Sequence, residues 1–505
     1  MLTTAGRAPG ALYELVARGK KDTYFFSEGA AAENPFDSYY TPVAPRIPEV
    51  RVQQPLNAAD FGRPVEFTIE TYGDVLTDVS VLIDLPPWFE SLPFSAALGP
   101  TTARKSVLEN DWRCSDVDAS GVSFGYINGI AYYLFERIQV FQDRILLVDI
   151  TGDSLQAVHI TESSYNQSFL RDAITGRHDG TVRGVGMNVA PGQLRLRIPF
   201  PGCQDVSDGG WPLCATRDQN FRVRLMLRRL EDVVEGSDGH FNPNPWGPAL
   251  GSVVPGRNFV ATDRDGATVT ARSLARERIG KPLIQLETTQ LYITPRDINA
   301  IRDAAEIHVP FRNYTDEEYT FNEPEYAPID KAGGISAVQR RLEGRHPVER
   351  VIWYMREAQA LVANQRWNFG TQDVYAGPAA AQNSTGQFYS GANLIIAGRP
   401  REDNWSPTVW QDVEALVKDE RDCGRHQNEI RWSLGAQYER PNPAPRQLEG
   451  AVNFSTADKP TLQMTLYNVQ HNPVVNQRKT YMQICTEQWA VMEVKGGRCR
   501  LLFAN

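Results

Sequence analysis

The sequence predicts an all-β protein built from two consecutive antiparallel β-sandwiches. The chain has 505 residues, of which 41% are hydrophobic and 22% charged, a composition typical of folded domains. Apolar and polar residues alternate repeatedly in both halves, and this period of two is typical of strands buried on one face. Helical periodicity is confined to short pieces, which predicts short helices within loops.

The clearest strand begins at residue 221, where apolar residues alternate with arginines. Its buried face is predicted to carry Phe221, Val223, Leu225 and Leu227. The same alternation occurs in VEFTIE (65–70), DVSVLIDL (78–85), QLRLRIPF (193–200) and TLQMTL (461–466). Turn residues separate these runs, so we expect antiparallel pairing in both halves.

Composition divides the chain into parts. Prolines near the start predict an extended arm, and a stretch rich in Gly, Pro, Asp and Asn without sustained alternation predicts a linker. The predicted arm, first sandwich, linker and second sandwich cover residues 1–48, 49–233, 234–281 and 282–505. Two segments with little strand signal, 151–190 and 362–393, predict elaborated loops.

Charge and hydropathy exclude several classes of function. The net charge of −9 argues against a surface that neutralises phosphates, so no direct nucleic-acid binding is expected. No apolar run approaches the roughly 20 residues that span a bilayer, and the N-terminus does not resemble a secretory signal. The cysteines form no CxxC pair and are predicted to be reduced and structural. They are Cys114, Cys203, Cys214, Cys423, Cys485 and Cys499.

Motifs that carry chemistry are weak in this sequence. A GxSxG match surrounds Ser123, but no helix is predicted after it, so Ser123 is interpreted as a loop serine. The segment 184–189 lacks the third glycine of a dinucleotide fingerprint. The histidines show no metal-ligand spacing; they are His159, His178, His240, His308, His346, His426 and His471. We therefore predict no catalytic, cofactor-binding or metal-ligating residue, and no enzyme.

Two surface features remain. The acidic stretch 315–330 is predicted to be a solvated loop, with an interface role left open by its aromatic residues Tyr319, Phe321 and Tyr326. Glycosylation sequons begin at Asn166, Asn313, Asn383, Asn404 and Asn453. Asn166 and Asn383 lie in the predicted outer loops and are the best candidates, whereas Asn453 lies in a strand-like segment and is the poorest.

A series of segments follows one order along the chain. They are ELVARGKKDTYF (14–25), DFGRPVEFTIETYGDVLTDVSVLIDLP (60–86), YINGIAYYLFERIQVFQDRILLVDITGDSL (126–155), LRLRIPFPGC (194–203) with WPLCATRDQNFRVRLMLRRLEDVV (211–234), LETTQLYITPRDI (286–298), HPVERVIWY (346–354), QLEGAVNFSTADKPTLQMTL (447–466) and LLFAN (501–505). This series resembles the double jelly-roll major capsid proteins of large nucleocytoplasmic DNA viruses. The segment 391–426 departs from the family pattern.

The resemblance implies that each sandwich is an eight-stranded antiparallel jelly roll. It also implies a structural protein whose homotrimers form pseudo-hexagonal capsomers of an icosahedral shell. The implied partners are neighbouring capsomers, with minor capsid proteins and an inner membrane on the inner face. The implied location is the outer capsid shell of the virion, after synthesis in the host cytoplasm or a viral factory.

Two alternatives stay open at this stage. One keeps the fold and makes the protein a transient scaffold on immature virions. The other is a jelly-roll carbohydrate-binding protein or glycoside-acting enzyme, in which some of the ten tryptophans stack on sugars.

Overall fold

Antiparallel strands dominate the structure, a computed structural model, which confirms the predicted all-β class. The residues that it describes are 46–86, 124–162, 165–177, 192–204, 209–216, 219–236, 260–262, 268–270, 281–321, 336–357, 361, 364, 366–367, 369, 387–401, 403–414, 426–432, 450–457, 460–466 and 480–502. The part of the chain described includes no helix long and apolar enough to cross a membrane.

The first half folds as one jelly roll. Its strands are β1 (Ile47–Gln53), β2 (Pro64–Thr68), β3 (Val75–Asp84), β4 (Phe124–Tyr126), β5 (Phe135–Gln142), β6 (Ile145–Thr151), β7 (Gln193–Arg197), β8 (Phe221–Leu227), β9 (Val234–Gly236), β10 (Val260–Thr262), β11 (Thr268–Thr270) and β12 (Leu283–Tyr292). Its helices are α1 (Ile130–Tyr133), α2 (Gly152–Glu162) and α3 (Tyr165–Thr175). Sheet 1A has the order β1-β12-β3-β7 and sheet 1B the order β2-β8-β5-β6, and their inward side chains share one core.

The second half repeats this arrangement. Its strands are β13 (Ile307–Phe321), β14 (Ser336–Arg341), β15 (Pro347–Glu357), β16 (Tyr389–Ile396), β17 (Arg399–Pro400), β18 (Gln427–Arg431), β19 (Val452–Asn453), β20 (Thr461–Leu466), β21 (Thr480–Lys495) and β22 (Arg498–Leu501). Sheet 2A has the order β13-β21-β15-β18, and sheet 2B has the order β14-β20-β16-β17. Apart from the short β19 and β22, each strand has a counterpart in the first half, so the predicted pair of jelly rolls is confirmed.

The boundary between the jelly rolls differs from the predicted one. Strand β12, expected to open the second roll, lies between β1 and β3 in sheet 1A. The segment 234–281 is therefore a connection before the last strand of the first roll and not a linker. The rolls are joined instead by 293–306, which carries helix α4 (Pro295–Asp303). Long loops and linkers both expose their backbone to water, so their compositions are alike.

The predicted core residues of β8 are buried. Phe221, Val223, Leu225 and Leu227 all face inward, in agreement with the alternating pattern. Trp211 packs edge-to-face on Phe221, with their ring centroids 5.1 Å apart. These contacts close the core of the first roll between its two sheets.

Helices α2 and α3 occupy a segment that was predicted to be an elaborated loop. Almost every residue of α2 is buried, including polar ones such as Ser154 and Gln156. A helix enclosed on all sides carries no apolar stripe, so the period of 3.6 residues is missing from its sequence. The sequence therefore predicts the elaborated connection between β6 and β7 but not the position of this helix within it.

Gly152 begins α2 at a close approach to neighbouring backbone. A Cβ atom there would lie 2.1 Å from the carbonyl oxygen of Tyr132 and 2.4 Å from that of Phe135. We expect Gly152→Ala to lower the free energy of unfolding by about 1–3 kcal/mol, because the backbone must shift. Denaturant unfolding measures the change. Gly209→Ala is the control, since no heavy atom lies within 4 Å of its added Cβ; equal losses in both variants would contradict the prediction.

Candidate assembly interface

Sheet 2A is buried on both faces. Along β15, Val351, Trp353 and Met355 face the core of the second roll. Ile352 and Tyr354, which alternate with them, join the core cluster of the first roll. Sheet 2A therefore belongs to two cores, and its outer face is the surface on which the rolls meet.

The first roll covers this outer face with the end of β6 and with α2. The backbone N–H of Thr151 donates to the Asp316 carboxylate over 2.8 Å. The side-chain amide of Gln483 donates to the hydroxyls of Thr151 and Ser154, each over 3.0 Å. These bonds join buried polar groups of the two rolls, which would be costly to leave unpaired.

Buried ion pairs occupy the centre of the contact. Arg350 on β15 and Arg312 on β13 both bind Glu487 on β21, the latter over 2.9 Å. The side chains of Arg350 and Glu487 are 0% exposed and that of Arg312 is 2% exposed. Glu162 of α2 forms salt bridges with both arginines, and Thr161 accepts a hydrogen bond from Arg350 over 2.8 Å. Helix α2 thus completes a charge network that begins in the second roll.

The charges in this network support one another. Burial alone would lower the pKa of Arg350, but Glu487 and Glu429 outweigh it and hold that pKa well above its ordinary value. Burial would likewise lower the pKa of Arg312, and Glu162 and Glu487 raise it. Both guanidinium groups therefore stay charged in the interior, where an unpaired charge would be very costly.

A second ion cluster lies at the N-terminal end of α2. Asp153 accepts hydrogen bonds from Arg228 of the first roll and, over 2.9 Å, from Arg356 of the second. Burial alone would raise the pKa of the Asp153 carboxyl, but Arg356 and Arg228 hold it well below the usual range. One carboxylate thus links the two rolls.

The acidic stretch 315–330 is not a solvated loop over the residues that the structure describes. Thr315–Phe321 is the end of β13, paired with β21. Asp316 is buried among the groups between the rolls, and burial raises its pKa. Sequence alone missed this because a strand buried by a partner element need not look apolar at every position.

The sequons occupy several environments. Asn404 and Asn453 are exposed, and Asn313 is half-buried on β13. Asn453 lies on the short strand β19, in agreement with the strand-like segment predicted there. Asn166 belongs to the backbone of α3 and not to a loop, and Asn383 lies outside the described residues. Glycosylation at any of them stays a prediction.

The other motif residues do not assemble into a site in the described part of the chain. Ser123, the segment 184–189 and several histidines lie outside it: His178, His240 and His471. Glu306, His308 and Glu493 place ligand atoms within 4.8 Å of one another, but Lys495 pairs with Glu306 and Arg500 with Glu493. The described cysteines are buried thiols, namely Cys203, Cys214, Cys485 and Cys499.

Among the described residues, the outer face of sheet 1A is open, unlike its counterpart in sheet 2A. On the edge strand β1, Val50 and Val52 are 56% and 47% exposed, whereas Gln53 on the opposite face is buried. Leu283 on β12 is 48% exposed. An apolar edge of this kind is usually covered in the native assembly. The alternating pattern that predicts strands does not reveal which outer face is covered.

Comparison with known proteins identifies the fold. No family model and no curated protein matches the chain. Among solved structures, PBCV-1 VP54, fitted into a reconstruction of the virophage Sputnik, aligns with a TM-score of 0.63 and 13% identity over 93% of this chain and 100% of that chain. The Faustovirus major capsid protein aligns with a TM-score of 0.56 and 12% identity over 91% and 92%. The double jelly-roll fold is thereby shown along nearly the whole chain.

The buried carboxylate of Glu487 is expected to be essential for stability. Glu487→Gln removes the fully buried carboxylate charge that pairs with both Arg312 and Arg350, and we expect a loss of about 3–5 kcal/mol in the free energy of unfolding. Glu66→Gln is the matched control, because Glu66 pairs with Arg224 at an exposed position and should cost less than about 1 kcal/mol. Similar losses measured by denaturant unfolding would contradict the central role of the network.

The burial of His159 in α2 predicts that the folded protein loses stability in acid. Burial lowers its pKa from 6.5 to about 4, so the folded chain resists protonation that the unfolded chain accepts. Stability should therefore fall as the pH drops from 6.5 to about 4, by roughly 3 kcal/mol from this group. Denaturant unfolding across this pH range should show a shallower dependence for His159→Gln. Parallel pH profiles for the two proteins would contradict the assignment.

Proposed function

We propose that the protein is the major capsid protein of a large DNA virus, and that three copies form a pseudo-hexagonal capsomer of an icosahedral shell. The fold shared with capsid proteins of PBCV-1 and Faustovirus supports a structural role in a capsid. The main support for the trimer is the outer face of sheet 1A, which is open, whereas the corresponding face of sheet 2A is covered.

The internal repeat suggests what covers this face. Within one chain, the β6–β7 segment of the first roll, with α2, packs on the outer face of sheet 2A. This contact is head-to-tail. In the part of the chain that the structure describes, it leaves the outer face of sheet 1A and the β17–β18 segment of the second roll without a counterpart. A second copy supplies the missing partner for each, and head-to-tail contacts of this kind close into rings.

The β17–β18 segment has features of a docking element. Trp410 anchors it in the core of the second roll, with its ring 5.6 Å from that of Trp353. Val413 in the same helical turn is 44% exposed. The β17–β18 segment has the same position in the second roll as the β6–β7 segment, with α2, has in the first. We assign this segment of one copy to the open face of sheet 1A in the next.

The remaining partners follow from the same role. Neighbouring capsomers would contact the trimer sides, and minor capsid proteins and an inner membrane would lie on its inner face. The net charge of −9 fits a subunit that makes no direct contact with nucleic acid. In this proposal the protein acts through shape and surface in the virion shell and is not an enzyme; it is made in the host cytoplasm or a viral factory.

The alternatives predict different observations. A transient scaffold would share the fold and the trimer but would be absent from purified mature virions, where the proposal expects an abundant protein. A carbohydrate-binding role needs tryptophans exposed in a cleft. Among the described residues every tryptophan is buried or half-buried, and three are enclosed in the cores: Trp211, Trp353 and Trp410.

Native mass tests the capsomer and its interface. Light scattering should give three times the 56.6 kDa of one chain for the unmodified protein. Val50→Glu with Val52→Glu places carboxylates in the apolar contact and should weaken association at least a hundredfold, giving monomers at micromolar concentration.

Ile145→Glu is the matched control, since Ile145 is 45% exposed at the start of β6 and outside sheet 1A; this variant should remain trimeric. A trimeric Val50→Glu/Val52→Glu protein would refute the assigned interface. An unmodified protein that stays monomeric at high concentration would refute the capsomer.

A further inference from the structure

A cavity of about 340 Å³ lies between the two jelly rolls, beside the network at α2. It is lined by the first turn of α2, by the chain after β8, and by β13, β15 and β21. Helix α2 directs its N-terminal end, with its partial positive charge, to this place.

Three arginines in the cavity wall share one carboxylate. Arg228 and Arg356 donate to separate oxygens of Asp153, and Arg366 lies 3.9 Å from it. Asp153 is the one carboxylate within salt-bridge distance of these three guanidinium groups in the described part of the chain. Each of these three guanidinium groups thus shares its nearest described carboxylate with the other two.

The three guanidinium groups also have unused donors. The Nε atoms of Arg228, Arg356 and Arg366 are buried and have no hydrogen-bond partner. The guanidinium group of Arg356 packs beside the rings of both Tyr354 and Phe369, at 4.9 and 5.0 Å from their centroids. Buried donors without acceptors are costly, so this wall favours a ligand that accepts hydrogen bonds.

The acidic groups on the opposite wall are engaged elsewhere. Asp316 accepts the Thr151 N–H, and Glu317 accepts the hydroxyl of Tyr319 and the N–H of Glu343. Glu136 and Glu318 also line the cavity, as does Arg137, which pairs with Asp149. None of these carboxylates forms a described ion pair with the three arginines.

The electrostatics of Arg366 indicate that its charge is incompletely compensated. Burial and the neighbouring Arg228 lower the pKa of its guanidinium group to about 10. Arginine is normally charged at any pH that a protein meets, so a lowered pKa marks a position where another anion would be stabilising.

We propose that this cavity binds a small tetrahedral oxyanion of phosphate chemistry, held by Arg228, Arg356 and Arg366 between the two jelly rolls. Guanidinium forks match phosphate oxygens in geometry and supply charge-assisted hydrogen bonds. The anion accepts hydrogen bonds from guanidinium donors that Asp153 does not bind, and it connects the chain after β8 to β15. The proposal rests on contacts within one chain and does not depend on the trimer.

Calorimetric titration of the full-length protein with inorganic phosphate tests the proposal, in buffer of constant ionic strength set with chloride. We expect one phosphate per chain and a rise of a few °C in the unfolding temperature at saturating phosphate. A parallel titration with glycerol phosphate distinguishes the source: tighter binding than inorganic phosphate indicates a phosphate ester, and equal or weaker binding indicates free phosphate.

Arg366→Gln is the critical variant, because Asp153 keeps Arg228 and Arg356 as partners and the fold should persist. Its affinity for phosphate should fall at least tenfold. Arg195→Gln removes an exposed arginine that pairs with Asp78 and Glu287, and it should bind phosphate as the unmodified protein does. Absence of saturable binding to the unmodified protein, or equal losses in both variants, would overturn the proposal.

Discussion

The structure depends on the burial of the outer face of sheet 2A beneath helix α2. Arg312, Arg350 and Glu487 lie on neighbouring strands of one sheet, and Glu162 of the other roll forms salt bridges with both arginines. Buried ion pairs add little net stability compared with apolar packing, yet they strongly penalise incomplete arrangements. The network therefore adds little net stability, but it fixes the orientation in which the two rolls meet.

This contact between the rolls links the fold of one chain to the assembly of several. The two rolls have the same strand order, and the contact between them uses an outer sheet face of one and the β6–β7 segment of the other. A chain of two such units carries the surfaces for one more contact of the same kind. The apolar side chains exposed on sheet 1A are what a surface awaiting a second copy would carry. The contact within one chain and the contact between copies would then use the same kinds of surface, an outer sheet face and a connecting segment.

Several features of the site lay beyond sequence reasoning. Asp153 and Glu162 gave no signal, because the helix that carries them is enclosed and shows no amphipathic stripe. Asp316 belonged to an acidic stretch that resembled a solvated loop, whereas β21 and Thr151 bury it. Strand β12 was assigned to the wrong roll, because alternation identifies a strand but not the sheet that it joins.

The sequence by itself determined the all-β class, the strands with one buried face and the order of landmarks that resembles the double jelly-roll proteins. These features are local, since the alternation of apolar and polar residues is visible in nearby positions such as Phe221 and Val223. Only the tertiary structure decided which sheet faces are covered, where one roll ends and the next begins, and which charges meet. Those outcomes depend on residues such as Arg350 and Glu162, which lie 188 positions apart and come together only when both rolls are formed.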